Sequence, residues 1–141
     1  AYLWWYIVRF YGPIYDNGDD YRTPPGAVKG EISKRGYVMS QFARFIRPGY
    51  YRVECNYSLQ ENISLTAYTD NTSSKIVIVV INTWSNAINH IFTLQNSNAE
   101  IFIPYVTTET KNCEQKSSIS VSNGSFAASL EASSITTFVS N

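Results

Sequence analysis

Three side chains near the start of the chain, Trp5, Arg9 and Tyr11, have types and a spacing that could form a binding site. The planar guanidinium of Arg9 can pair with a carboxylate through two hydrogen bonds. Trp and Tyr offer a flat apolar face with a polar handle, which suits a sugar ring and equally suits a β-rich core. Together with Ile7 they share parity along an extended chain, so we expect one common face. An Arg at a strand end is most often a solvated charge, so this pattern alone assigns no function.

Other residues of chemical interest are isolated from one another. Cys55 and Cys113 fit no zinc or redox motif, and they could be two buried thiols or one disulfide. His90 stands in an alternating strand pattern and is predicted to lie at the surface. Trp84 falls in a turn, where packing at an edge is favoured over a secondary sugar site. Glycosylation sequons begin at Asn56, Asn62, Asn71 and Asn123, and they have meaning only in a eukaryotic secretory setting.

The length of 141 residues is enough for one domain with a substantial core, and the composition is that of a globular protein. Eleven basic residues balance eleven acidic ones, so no stripe or tail of charge predicts binding to nucleic acid. No apolar run reaches the roughly 18 residues that a membrane helix needs. The chain opens inside an apolar run without Met or a signal-peptide pattern, which predicts a fragment of a longer protein.

Residues 1–49 read as a single βα unit. Residues 2–8 are almost continuously apolar, which is typical of a strand buried on both sides in a parallel sheet. A polar loop rich in Gly, Pro and Asp follows over residues 16–32. Ser33 is a candidate N-cap for a helix that ends at Pro48-Gly49. The apolar stripe of that helix consists of Val38, Phe42, Phe45 and Ile46. One βα unit cannot bury its own apolar faces, so it requires strands that this chain lacks.

Residues 50–141 read as a domain of short strands with a period of two. Ile76 to Ile81 is apolar throughout, so we place that strand centrally. Asn123-Gly124 predicts a two-residue type I′ hairpin turn. The predicted strands lie near 50–57, 62–69, 75–82, 87–95, 99–106, 117–122, 124–131 and 134–140. The predicted fold is therefore mostly β, an antiparallel β-sandwich preceded by one βα unit from an incomplete (β/α)₈ barrel.

Two segments resemble bacterial glucuronoxylanases of glycoside hydrolase family 30. The first is Trp4-Trp5-Tyr6-Ile7-Val8-Arg9-Phe10-Tyr11-Gly12-Pro13, which matches the eighth barrel strand and its loop. The second runs from Ser33-Lys34-Arg35-Gly36-Tyr37 to Phe45-Ile46-Arg47-Pro48-Gly49-Tyr50 and matches the eighth helix. The remaining residues are similar to the side β-sandwich of that family. The resemblance thus covers the whole chain and is strongest over these two motifs.

The resemblance implies a secreted, retaining endo-β-1,4-xylanase that recognises a glucuronic acid branch on xylan and needs no cofactor or metal. Arg9 matches the Arg that binds the carboxylate of the branch, and Tyr11 matches the Tyr that hydrogen-bonds it. Trp5 matches the Trp that packs against the sugar. These positions lie at the C-terminal end of a barrel strand, where active sites form. Trp4, on the opposite parity, is predicted to pack between barrel and helices.

The catalytic residues are expected to be missing from this chain. A retaining glycosidase needs two carboxyl groups about 5–5.5 Å apart, and the resemblance places both upstream, on the missing barrel. Nothing in the chain replaces them: Glu31 lies in the polar loop, whereas Glu54, Glu61, Glu100 and Glu131 are scattered through the predicted sandwich, and no two of them form a convincing pair. Two other classes stay open, a carbohydrate-binding β-sandwich module without catalysis and a structural β-domain of a surface protein. Family relatives acting on glucosylceramide or β-1,6-glucan lack this Arg-x-Tyr pattern.

Overall fold

The computed structural model describes residues 5–16, 22–55 and 61–141. The chain divides into two compact units, Ala1–Ser40 and Gln41–Asn141. The predicted domain boundary between residues 49 and 50 stays a prediction. The elements are α1 (Lys34–Ala43), β1 (Tyr50–Val53), β2 (Ile63–Asp70), β3 (Ile76–Asn82), β4 (Ile88–Thr93), β5 (Ile101–Thr107), β6 (Glu114–Gln115), β7 (Ile119–Ser120), β8 (Ser125–Leu130) and β9 (Ser134–Ser140).

The second unit is an antiparallel β-sandwich, as predicted. Seven strands form one sheet in the order β1-β2-β3-β9-β5-β6, with β7 also paired to β5, and β4 pairs with β8 in a second sheet. Phe side chains from both sheets meet in the core. The Phe126 ring of β8 stacks 4.6 Å from the Phe102 ring of β5, and the Phe92 ring of β4 lies 5.2 Å from the Phe138 ring of β9. These contacts join the two sheets.

Strand β3 occupies the centre of the large sheet because both of its faces are apolar. Ile78 and Val80 point into the core between the sheets, whereas Val77 and Val79 pack on the other face. All four side chains are buried. That other face is covered in part by apolar side chains that follow Gln41, namely Phe42, Phe45 and Ile46. The central placement predicted from the unbroken apolar run is therefore confirmed.

The helix begins where the capping signal predicted it. The backbone N–H of Gly36 donates to the Ser33 hydroxyl at 3.2 Å, which satisfies one of the free amide groups of the first turn. The regular helix ends at Ala43, before Pro48-Gly49, and Gly49 has a φ of 100°. Of the predicted apolar stripe, Val38 is exposed, while the three later members pack on the sheet.

The turn at Asn123-Gly124 confirms the predicted type I′ signal. Both residues have positive φ angles, 51° and 71°. Ser122 and Ser125 on either side exchange two backbone hydrogen bonds of 2.8 and 3.0 Å. The strand predicted over 117–122 is reduced to β7, and the short strand β6 was not predicted. Two residues suffice for β6 because it is an edge strand on β5.

The strand predicted over residues 2–8 is wrong for the part that the structure describes. Residues 5–8 form no strand beyond a single bridge between Val8 and Ile14, and Tyr6 has a left-handed φ of 63°. All four side chains are exposed. The physical reason is that an apolar strand of a parallel sheet needs neighbouring strands to bury it. Residues 2–4, with Trp4, lie outside the described residues, as do Asn17-Gly18 of the predicted loop and the sequon at Asn56.

Candidate functional site

The residues predicted to bind ligand lie on a tight turn of the first unit. The Ile14 amide donates to the Ile7 carbonyl oxygen at 3.1 Å, and the Arg9 amide donates to the Ile14 carbonyl oxygen at 3.2 Å. Inside this closed loop, the Gly12 amide donates to the Arg9 carbonyl oxygen at 2.9 Å. The backbone therefore reverses direction at Arg9-Phe10-Tyr11-Gly12 and presents these side chains at a turn.

Trp5 and Arg9 meet through a residue that the sequence did not single out. The guanidinium carbon of Arg9 lies 4.7 Å from the ring centroid of Tyr6, within cation–π range. The Trp5 ring contacts the same Tyr6 ring edge-on, with centroids 5.1 Å apart. Trp5 is 76% exposed. Because residues 5–11 are not extended, the predicted common face through shared parity is wrong, and the left-handed Tyr6 creates the cluster instead.

Tyr11 contacts a different partner. Its ring packs edge-on against Phe10, with centroids 4.7 Å apart, and the guanidinium carbon of Arg22 lies 3.8 Å from the Phe10 centroid. Tyr11 is half-buried, whereas Arg9 is exposed. The structure thus brings Trp5 and Arg9 together around Tyr6. Tyr11 instead packs against Phe10, the residue that follows Arg9 in the same turn.

The start of helix α1 supports this turn through contacts that sequence reasoning missed. The Ser33 hydroxyl donates to the Gly12 carbonyl oxygen at 2.7 Å, and the Ser33 amide donates to the Pro13 carbonyl oxygen at 2.8 Å. A Cβ atom on Gly36 would stand 2.4 Å from the Pro13 carbonyl oxygen, so the helix touches the turn at a distance that only glycine allows. The signal that could have revealed this contact is a glycine early in the helix, three residues after its N-cap.

Charged side chains of the sandwich form hydrogen bonds and ion pairs within the fold. At the turn after β2, the hydroxyl and amide of Ser73 donate to Asp70 and hold the pKa of its carboxyl below the usual value. Lys116 beside Glu114 lowers the pKa of that exposed carboxyl. The Lys111 ammonium contacts both carboxylate oxygens of Glu131 at 2.5 and 2.6 Å.

Within residues 5–16, 22–55 and 61–141, no group of three or more His, Cys, Asp or Glu side chains could hold a metal ion.

The sandwich carries a groove of about 890 Å³, which we call the β4 groove. One wall is formed by residues of β1, β2 and β3, including Tyr51 and Leu65, and the other by β4 with His90 and Phe92. His90 is half-buried, with its ring 4.7 Å from that of Phe92, so its predicted place at the open surface is only partly met. Tyr51 is 47% exposed on this groove.

Two further predictions concern Trp84 and the cysteines. Trp84 is 49% exposed; its backbone amide donates to the Asn82 side chain, and its carbonyl oxygen accepts from the Ser133 amide. Both cysteines are free thiols, so the disulfide alternative is wrong; of the two thiols predicted to be buried, Cys113 is buried and Cys55 is half-buried. In the part of the chain that the structure describes, no helix has the length and hydropathy to cross a membrane.

Comparison with known proteins bears on the whole chain. The glucuronoxylanase XynC of Bacillus subtilis strain 168 is 38% identical over 141 residues, which is 100% of this chain and 30% of that protein. The chain therefore spans about 30% of the length of the curated relatives that it matches. No family model matches the chain.

Solved structures agree with the sequence match. A family 30 endoxylanase from Clostridium papyrosolvens C71 is 47% identical, with a TM-score of 0.73, over 78% of this chain and 28% of that one. A family 30 subfamily 8 xylanase from Clostridium acetobutylicum is 43% identical, with the same TM-score of 0.73, over 79% and 29%. The resemblance seen in the sequence is confirmed: over its full length this chain is similar to a stretch covering about 30% of the length of a glucuronoxylanase, and the solved structures that it resembles are xylanases of glycoside hydrolase family 30.

Proposed function

We propose that this chain is part of a secreted, retaining endo-β-1,4-xylanase. The whole enzyme recognises glucuronic acid branches on xylan, and this chain contributes part of the pocket that binds the branch. The observation that carries the proposal is the 38% identity, over the full chain, to a glucuronoxylanase. The partners in this proposal are a branched xylan and the barrel of the same protein, which supplies the catalytic carboxylates.

Arg9 is the residue that we propose to read the branch. Xylose units are neutral, so only the branch offers a carboxylate to a cation. Arg9 is exposed on the turn, and its guanidinium contacts the face of the Tyr6 ring through a cation–π interaction. Unlike an ion pair, this interaction does not require hydrogen bonds from the guanidinium N–H groups. The donors at the edge of the guanidinium therefore suit a bidentate carboxylate.

Trp5 and Tyr11 complete the proposed pocket with different chemistry. The 76% exposed ring of Trp5 offers a flat apolar face to a sugar ring. The hydroxyl of Tyr11 can donate a hydrogen bond to the same carboxylate that Arg9 binds. The test is kcat/KM of the parent enzyme on glucuronoxylan and on undecorated xylan, with and without Arg9→Ala. A loss confined to the decorated substrate supports the proposal, and equal losses contradict it.

A second candidate function is polysaccharide binding by the sandwich itself. The β4 groove carries an exposed aromatic ring, Tyr51, beside polar groups of Asp70 and Asn71. Aromatic rings with neighbouring hydrogen-bonding groups suit neutral sugars. Retention of this chain on insoluble xylan, lost on Tyr51→Ala and kept on Trp84→Ala, would favour this function. Absence of retention removes it.

A further inference from the structure

Ser33 joins the helix to the turn through a chain of two hydrogen bonds. Its hydroxyl donates to the Gly12 carbonyl oxygen at 2.7 Å, and the Gly12 amide donates to the Arg9 carbonyl oxygen at 2.9 Å. The same hydroxyl accepts from the Gly36 amide at 3.2 Å. Ser33 is 2% exposed, so water does not compete for these bonds. One buried hydroxyl therefore serves both the helix N-terminus and the backbone that carries Arg9.

Two glycines make this arrangement possible. A Cβ atom on Gly12 would stand 2.5 Å from the Ile7 carbonyl oxygen, inside the closed turn. A Cβ atom on Gly36 would stand 2.4 Å from the Pro13 carbonyl oxygen. In both cases the obstacle is backbone, which cannot rotate away as the end of a side chain can. Glycine within a helix is less favourable than Ala, so its presence at position 36 indicates that the close contact outweighs helix propensity.

We propose that Ser33 is a positioning residue for Arg9: its bond to Gly12 sets the direction of the turn, and thereby the place of the guanidinium that reads the branch. This inference rests on the proposed function. A capping role alone requires only the bond from Gly36, whereas the donation to Gly12, 21 residues away in sequence, has no part in capping. A bidentate pair depends on geometry, so a shifted turn weakens it while the charge stays.

The experiment uses the complete parent enzyme and measures kcat/KM on glucuronoxylan and on undecorated xylan. Ser33→Ala is expected to lower the value on glucuronoxylan about threefold to tenfold, the worth of one neutral hydrogen bond, and to leave undecorated xylan unchanged. Ser33→Thr keeps the hydroxyl and is expected to restore most of the activity. Gly36→Ala is expected to act in the same direction as Ser33→Ala. Ser40→Ala is the matched control, because its hydroxyl donates at 2.7 Å to Tyr37 within the helix.

A double-substitution cycle separates positioning from general stability. If Ser33 acts through Arg9, then Ser33→Ala adds no further loss on glucuronoxylan once Arg9→Ala is present. Full additivity of the two losses would overturn the inference, as would parallel losses on both substrates or no loss from Ser33→Ala. The proposed function fails separately, if Arg9→Ala by itself lowers both substrates equally.

Discussion

The guanidinium of Arg9 lies over the ring of Tyr6, 4.7 Å from its centroid, and Tyr6 adopts a left-handed backbone conformation to bring the ring there. A non-glycine residue in that conformation carries strain, which the neighbouring contacts must offset. The turn between Ile7 and Ile14 supplies these contacts through its backbone hydrogen bonds. The position of the cation is therefore a property of the whole turn.

In the parent enzyme, Arg9→Ala should lower kcat/KM on glucuronoxylan about tenfold to hundredfold, because a charge-assisted bidentate pair is worth roughly 1.5–3 kcal/mol. Cleavage of undecorated xylan should barely change. Arg9→Lys keeps the charge but not the planar fork, so an intermediate loss is expected. Trp5→Ala should lower both values, since ring packing does not depend on the branch. Equal losses on both substrates by Arg9→Ala would show that Arg9 holds the turn rather than the ligand.

This chain alone should release no reducing ends from glucuronoxylan. A retaining mechanism needs two carboxyl groups on either side of the scissile bond, and we place both outside this chain. The assay compares folded chain with heat-denatured chain at the same concentration. Turnover above the denatured sample would contradict the assignment as a part of the enzyme.

Limited proteolysis should remove the first segment before it cuts the sandwich. Residues 5–9 are exposed and form no regular strand, whereas Gln41 is fully buried and donates to the Thr107 hydroxyl at 2.7 Å. We therefore expect the protected fragment to begin near residue 40, where the second compact unit starts. Mass spectrometry of the earliest stable fragment measures this boundary. Equal protection of both units would contradict the prediction.

Asn82 should be a critical residue for stability of the sandwich. Its side-chain amide donates to the carbonyl oxygens of Asn86 and Glu131 at 3.0 and 2.8 Å, and its oxygen accepts from the Trp84 amide. Asn82 is 1% exposed, so Asn82→Ala removes three hydrogen bonds made by a buried side chain and should cost about 1–3 kcal/mol in the free energy of unfolding. Urea unfolding measures it. Asn89→Ala, at an exposed position on β4, is the control and should change stability little.

Stability should fall in acid partly through Asp70. The Ser73 hydroxyl donates to its carboxylate at 2.7 Å and lowers the pKa below the ordinary value of 3.8. A carboxyl with a depressed folded-state pKa stabilises the fold above the unfolded-state pKa, and this contribution is lost as pH falls through the folded-state pKa. Ser73→Ala should therefore destabilise the chain at pH 6 and have a smaller effect at pH 2. Urea unfolding at both pH values tests this, and an equal effect at both would show that the hydroxyl acts independently of the charge.

Local features followed from the sequence by itself. The helix cap at Ser33, the type I′ turn at Asn123-Gly124 and the central strand at Ile76 to Ile81 each depend on contacts within a few residues or on the polarity of one run. Such preferences act before long-range packing is complete. Two short motifs were likewise enough to indicate the resemblance to family 30 xylanases. The full-length similarity to a glucuronoxylanase and the similarity to solved family 30 structures confirm it.

Only the tertiary structure decided the order of the strands and the neighbours of the site residues. Strand β9 lies between β3 and β5 in the large sheet, an arrangement that depends on packing between distant segments. Tyr6 joined Arg9 and Trp5, and Ser33 reached Gly12, because the first segment is folded into a turn rather than extended as a strand. The physical reason is that an apolar run in the sequence shows only that its side chains favour burial. The backbone conformation that the run adopts depends on which neighbouring strands or helices are present to bury those side chains.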